Sequence, residues 1–588
     1  MRTDVSACGH SPSRPVVGQC LPSHQAQFNG AFCGEGGKII SCFTCWVFAH
    51  PIRPTTMSLE LPLVSRNGRL FDPITSTIPR FLEMLAKPHV PPIPMKSFHL
   101  SCLDQNVVRV YIQTLCIFPF PDQNLAEDAI QSLSAGLRLT LNKFPFLAGT
   151  LTLADREAGK LALHYPAEIS SQHLSRIFRS KQIPYHEKNF PHTYEQLKRD
   201  GMPPSAFTSS MFVPEDLAEY PGIPRDGEGK VDFNKSDAPA MRTQAFFIPG
   251  GLVLSMYMHH SVFDFSGVTL FWQTFAENVS SLSKQQLFEE HKIMDMESVA
   301  EKQSLMRKAV DEQITPPQAS ASADCYCDGS PRYLQTLPKE TKCTQRLFAI
   351  PASRVREYRE TLRAQFPENT PPTMCNVLAA LVWTHVTRAR ANRLTKCGLT
   401  ETSIGIATDL RRRQRPPVST DYTGNMALFS RGTMNVADLT AEDRVTKSTI
   451  VKVINTIKST ILDVDDEWVN RHLTFFKSIE QITDTEVALA LKFGSDIYIS
   501  SWLNFGADIS WGIPGTDLGK DSLAGRPEFI RRSYGPGDGG MIFLPRRRQT
   551  ANQEEAPFEI LVRLAEEDMT RVLEEEGGLS CWADAVIE

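Results

Sequence analysis

Hydrophobic and polar positions follow two periods along the chain, one of strand type and one of helix type. The clearest apolar run is Leu252-Val-Leu-Ser-Met-Tyr-Met258, opened by Gly250-Gly251 and closed by His259-His260. A run of this length bounded by a glycine turn signal predicts a strand. Successive strand side chains point to opposite faces, so His260 shares a face with Leu252, Leu254, Met256 and Met258, and His259 shares one with Val253, Ser255 and Tyr257. The chain then turns through residues 261–266, and the segment from Gly267 to Asn278 predicts a helix.

Upstream, Asn124-Leu-Ala-Glu127 has the form of a capping box, and Ala126, Ile130, Leu133, Leu137 and Leu141 follow at helical spacing. That helix is expected to end near Phe144-Pro145, with a strand from Leu147 to Leu153 after it. A charged helical stretch, 284–313, leads into a Pro/Ser/Ala-rich segment, 315–331, whose composition marks a linker or crossover loop. Beyond it the pattern predicts a strand at Arg346–Ala349, a helix at Ser353–Gln365, a buried helix at Cys375–Arg390 around Trp383, and a strand at Met541–Leu544. Strands and helices alternate in both halves, which predicts an α/β (α+β type) fold in each.

At 588 residues the chain exceeds the usual size of one domain. The expected division is an extension or misassigned start at 1–56, an N-terminal half at 57–314, a crossover linker at 315–340 and a C-terminal half at 341–588. The net charge of −5 argues against a nucleic-acid partner, and the basic clusters Arg411-Arg-Arg-Gln-Arg415 and Arg546-Arg-Arg548 read as solvated loops. No apolar run of about 18 residues occurs, so no membrane span is expected, and the early apolar piece Ile39–Ala49 lacks the basic start of a signal peptide. The 13 cysteines form no regular framework, which fits reduced thiols and a cytoplasmic protein. Cys42-Phe-Thr-Cys45 has zinc-ligand spacing, but nothing completes the set, so no metal is expected.

The chemistry-bearing stretch is His259-His-Ser-Val-Phe-Asp264. From these residues alone, His260 is open to two readings: a satisfied structural histidine, or a general base at a strand end. A metal site made by His259, His260 and Asp264 is disfavoured, because adjacent strand side chains diverge. Gly535-Pro-Gly-Asp-Gly-Gly540 lacks the lysine and hydroxyl residue of a phosphate-binding loop and reads as a turn.

His260-Ser-Val-Phe-Asp264 together with Asp508-Ile-Ser-Trp-Gly512 resembles the paired H-x-x-x-D-G and D-F-G-W-G signatures of the BAHD acyltransferases. Leu100-Ser-Cys-Leu-Asp-Gln105, Phe144-Pro-Phe-Leu-Ala-Gly149, Trp383–Arg390, Asp409-Leu-Arg411, Tyr422-Thr-Gly-Asn425 and Arg526-Pro-Glu-Phe-Ile-Arg531 look like further landmarks in family order. The likeness runs from about Met57 to the end and is strongest to the fungal trichothecene-acetyltransferase-like branch. It implies a monomer of two chloramphenicol-acetyltransferase-like domains joined by a crossover loop, with an active-site channel at their interface. It also implies an O-acyltransferase that uses acyl-CoA, expected to be acetyl-CoA, as co-substrate with no permanently bound cofactor. The partner the resemblance implies is a small-molecule acceptor, expected to be a terpenoid or polyketide-like secondary metabolite. The alternatives are a free-standing condensation-type domain fed by a carrier protein and a non-catalytic metabolite-binding relative.

Carried onto this chain, the resemblance makes His260 the general base and His259 structural. Trp502, with Ser500 as second donor, would face the oxyanion. Asp264 would turn away from the channel to pair with Arg411, while Asp508, Trp511 and Gly512 support a loop remote from the reaction. Two departures stand out: Ile509 and Ser510 inside the second signature, and Phe265 where the first has glycine. Phe265 is expected to narrow or reshape the channel, with Gly267 absorbing part of the turn.

Overall fold

Two mixed sheets carry the fold, and each is built from the apolar runs that alternate with helices. The computed structural model describes residues 94–225, 229–283, 298–312, 323–516, 525–548 and 555–588, all within the unit Val90–Glu588. The expectations for residues 1–56 and for Cys42 and Cys45 lie outside the described residues, as does most of the charged stretch before Ala300.

The first half is organised by a five-stranded sheet, in spatial order Phe529–Arg531, Tyr111–Pro119, Gly251–His259, Met241–Ile248 and Phe178–Gln182. Every residue of Gly251–His259 is buried, because this strand is central and covered on both faces. Leu252, Leu254, Met256 and Met258 pack into a core with Leu133, Leu137, Phe271 and Phe275. Val253, on the opposite face, packs with Phe190, Phe212 and Phe246. The helices Ala126–Lys143 and Phe265–Ser283 lie against each other on the first face. Their approach is close enough that a Cβ on Gly136 would stand 2.5 Å from Val279 Cγ2.

The second half has a seven-stranded sheet, ordered Ala427–Asn435, Glu401–Asp409, Ile497–Ser501, Gly540–Phe543, Phe558–Ala565, Cys343–Ile350 and Ala585–Ile587. Ile497–Ser501 runs parallel to both neighbours. Its core centres on the helix Met374–Lys396, with Trp383 fully buried. The halves interlock through Phe529–Arg531, which comes late in the chain yet pairs antiparallel with Tyr111–Pro119. Arg531 anchors this crossing: it is 1% exposed and donates to Glu559 at 2.7 and 2.9 Å and to the Met202 carbonyl at 3.0 Å.

Several sequence expectations shift in detail. The capping box at Asn124 does not form, because Asp122 accepts from the Asn124 N–H and starts a short 3-10 turn, Gln123–Leu125, ahead of the helix. The strand expected from Leu147 starts at Thr150, after another short 3-10 turn over Pro145–Ala148. The strand Gly251–His259 ends one residue before His260, although the His260 N–H still donates to the Val110 carbonyl at 2.9 Å, in register with the Tyr111–His259 pair. The helix after it begins at Phe265, not Gly267. Among the described residues no helix is long and apolar enough to cross a membrane.

Candidate active site

The loop from His260 to Asp264 is held at three points by groups distant in sequence. Asn425 Nδ2 donates to the His260 carbonyl at 2.8 Å, and Arg307 Nη2 donates to the Val262 carbonyl at 2.8 Å. At the third point Arg411 grips Asp264 with two parallel bonds, Nη1 to Oδ2 at 2.8 Å and Nη2 to Oδ1 at 2.9 Å. Such bidentate geometry is the strong form of an arginine–carboxylate contact. The remaining acceptor positions of Asp264 take the N–H groups of Gly267 at 3.0 Å and Met426 at 3.0 Å. Asp264 is therefore the N-cap of the helix Phe265–Ser283, and with four donors on two oxygens it has no lone pair left for His260.

Asn425 and Arg307 meet on Asp104. Arg307 Nε donates to Asp104 Oδ2 at 2.9 Å, and Asn425 donates to Oδ1 from its backbone at 2.9 Å and its side chain at 2.8 Å. Asp104 and Arg307 are both fully buried, so each compensates a charge the other could not leave alone. Two of the landmark segments, Leu100–Gln105 and Tyr422–Asn425, thus converge under the histidine loop. Arg307 was not legible as a site residue: it sits in a charged helical stretch with no distinguishing neighbour, although a single buried arginine there closes the network. Gly267 serves the same convergence. It is required by close approach, not by a turn, since a Cβ there would lie 2.2 Å from the Thr423 carbonyl oxygen.

The two histidines differ as their positions require. His259 is fully buried, packed edge-on against Tyr111 at 5.2 Å and Phe233 at 5.6 Å, and its Nδ1 accepts from the Ser261 N–H. Burial pushes its pKa down to about 3. His260 lines a cavity of about 460 Å³. Its Nδ1 is buried without a hydrogen-bond partner, so Nε2 is the nitrogen that can meet a ligand. Burial lowers the His260 pKa below its ordinary value, against the opposing pull of the Asp264 carboxylate. The imidazole is therefore neutral near pH 7, the state in which it can accept a proton.

Ser500 and Trp502, from the end of the strand Ile497–Ser501, line the same cavity. Trp502 Nε1–H donates to Ser500 Oγ at 3.0 Å. The indole donor expected to face an oxyanion is therefore engaged, and the hydroxyl it holds has its own hydrogen to give. Phe265 also lines the cavity and stacks on Trp502, with ring centroids 4.1 Å apart.

Asp508, Trp511 and Gly512 are not among the described lining residues of this cavity. Asp508 accepts from the Arg548 N–H at 3.0 Å and lies 3.8 Å from Arg526. Trp511 is fully buried between Phe118 and Phe275. Gly512 has φ +57°, and a Cβ there would stand 3.0 Å from Ser280 Cα; its segment packs on the helix that Asp264 caps. Of the basic clusters, Arg411 and Arg413 are committed to Asp264 and to the Ile461 and Val464 carbonyls, while the Arg548 side chain is 83% exposed. Among the described residues no group of three His, Cys, Asp or Glu could hold a metal ion.

Comparison with known proteins identifies the family and the fold. The Transferase family model matches residues 230–578, and a trichothecene 3-O-acetyltransferase-like N-terminal domain model matches residues 110–278. The chain is 25% identical to trichothecene 8-O-acetyltransferase of Fusarium sporotrichioides over 81% of its own length and 96% of that protein. It is 22% identical to trichothecene 3-O-acetyltransferase TRI101 of the same organism, over 80% of this chain and 93% of that one. The solved structure of F. sporotrichioides TRI101 complexed with coenzyme A and T-2 superposes with a TM-score of 0.64 at 18% identity, covering 84% of this chain and 100% of that one. The fold is thus the two-domain BAHD architecture, and the chain belongs to the BAHD transferase family, in its trichothecene-acetyltransferase-like branch, as an acyltransferase.

Proposed function

We propose that this chain moves an acyl group, in the first instance acetyl, from a coenzyme A thioester to a hydroxyl of a terpenoid or polyketide-like secondary metabolite, with His260 as general base. The observation that carries the reading is that His260, Ser500 and Trp502 line one cavity while Asp264 is fully engaged by Arg411. His260 Nε2 takes the acceptor's proton as its oxygen attacks the thioester carbonyl. The negative charge that develops on the carbonyl oxygen is met by the Ser500 hydroxyl, itself positioned by the Trp502 N–H. Collapse of the tetrahedral intermediate expels the coenzyme thiolate, which recovers the proton from His260. In this reading 57–314 supplies the base, 341–588 supplies the oxyanion donors, and 315–340 is the crossover between the halves.

A thermal-shift titration with acetyl-CoA tests the donor without knowledge of the acceptor. Ligand at about 100 times its Kd stabilises the native state by about 2.7 kcal/mol, so a saturable rise in melting temperature is expected. A cooperative melt that does not move at millimolar acetyl-CoA would remove coenzyme A from the reading.

The oxyanion assignment has its own test. Trp502→Phe keeps a ring against Phe265 but removes the donor that holds Ser500. Turnover should fall on the order of 10²-fold, the scale of losing one oxyanion donor, and Ser500→Ala should fall at least as far. Because the two residues act as one unit, the double variant should be no slower than Ser500→Ala alone, whereas multiplicative losses would separate their roles.

A further inference from the structure

We infer that Phe265 is the residue that limits the length of the acyl group, by closing the cavity beside the oxyanion donors. The inference rests on the coenzyme thioester reading above. Phe265 follows Asp264 directly, so its backbone is placed by the four bonds on that carboxylate and by the first turn of the helix Phe265–Ser283. Its ring is then held on three sides by other rings. It stacks on Trp502 at 4.1 Å with an interplanar angle of 20°, meets Phe505 at 5.3 Å and takes Trp272 edge-on at 5.7 Å. Trp272 is itself fully buried. A ring packed this way is not free to swing out of the cavity.

A thioester carbon has three substituents to place. Its oxygen turns to Ser500 Oγ, its sulfur leads out along the coenzyme, and its alkyl group takes the third direction. Ser500 is bonded to Trp502, and Phe265 covers the face of Trp502. In this inference the alkyl group of a carbonyl seated at Ser500 runs toward the Phe265 ring, which then sets how long that group can be. Removing that ring leaves a hollow walled by Trp272, Trp502 and Phe505, an apolar surface suited to an aliphatic chain. Each methylene that enters such a space gains roughly fourfold in affinity.

Calorimetric binding of coenzyme A and of its S-ethyl, S-butyl and S-hexyl thioethers to wild type, Phe265→Leu and Phe265→Ala tests this, since thioethers need no acceptor and do not turn over. Wild type should bind S-hexyl-CoA at least about tenfold more weakly than S-ethyl-CoA. Phe265→Ala should reverse the order by at least about tenfold, with Phe265→Leu between, while coenzyme A itself binds all three alike. A chain-length profile that is the same in wild type and both variants, with coenzyme A still bound, overturns the inference and leaves the coenzyme reading standing. Wild type that binds no coenzyme A overturns both. If Phe265→Ala lacks a cooperative melt, the Phe265→Leu profile decides.

Discussion

His260→Ala is expected to lower turnover by about 10²–10⁴-fold, the usual contribution of a positioned general base, while leaving the melting temperature close to that of wild type. The separation follows from how the loop is built. Its anchors are backbone carbonyls and a carboxylate: Asn425 on the His260 carbonyl, Arg307 on the Val262 carbonyl and Arg411 on Asp264. None of these three anchors is made by the imidazole side chain. The wild-type pH profile should carry the same signature. Burial lowers the His260 pKa below 6.5, and only the neutral ring accepts a proton. Activity is therefore kept through pH 6.5 and lost as pH falls through the depressed value. A variant within tenfold of wild type, or an acid limb centred above pH 6.5, would take the base role away from His260.

Asp264→Ala is expected to cost stability first. The Arg411 guanidinium is 4% exposed, and Asp264 takes two of its hydrogen bonds. Removing Asp264 leaves the buried Arg411 guanidinium with the exposed Asp409 carboxylate, at 3.1 Å, as its remaining counter-charge; breaking a buried pair typically costs about 3–5 kcal/mol, here toward the lower end and joined by loss of the helix N-cap at about 1 kcal/mol. Denaturant midpoints would show it. An Asp264→Ala/Arg411→Leu double variant should recover part of the loss, because the stranded charge is gone. Turnover should fall only as far as the aim of His260 is disturbed. If Asp264→Ala instead melts like wild type and turns over as slowly as His260→Ala, the carboxylate takes part in the reaction, and the structural assignment fails.

The strand that presents the histidines was legible because the apolar run Leu252–Met258, opened by Gly250-Gly251 and closed by His259-His260, has strand length, and burial on both faces demands an unbroken apolar text. Its last residue is His259, one before His260, and the His260 N–H still bonds the carbonyl of Val110, just ahead of Tyr111–Pro119, in register with the Tyr111–His259 pair. The opposed directions of His259 and His260 survive this shift, since one is packed among rings and the other lines the cavity. Residue chemistry and order along the chain were likewise enough to bring His260, Asp264, Arg411, Ser500 and Trp502 into one family pattern.

What the sequence determined by itself is therefore the local part: the strand, the presence of a helix after the histidine turn, and the identity of the groups that carry charge or a proton. The tertiary structure alone decided how those groups are used. Asp264 and Arg411 are 147 residues apart, and only the folded chain brings Arg411 and the Gly267 and Met426 N–H groups together to fill all four acceptor positions of the carboxylate. The Trp502 N–H could have faced the cavity, but the strand geometry turns it onto Ser500 and passes the free donor to the hydroxyl. Arg307 stands in a charged helical stretch of the sequence and is fully buried, and Phe265, expected to narrow or reshape the channel, lines the cavity as part of a stack on Trp502. The physical reason is common to all four. Hydrogen bonding and ring packing depend on ångström-scale distances between segments far apart in the chain, whereas the local pattern specifies only which face of each segment turns inward.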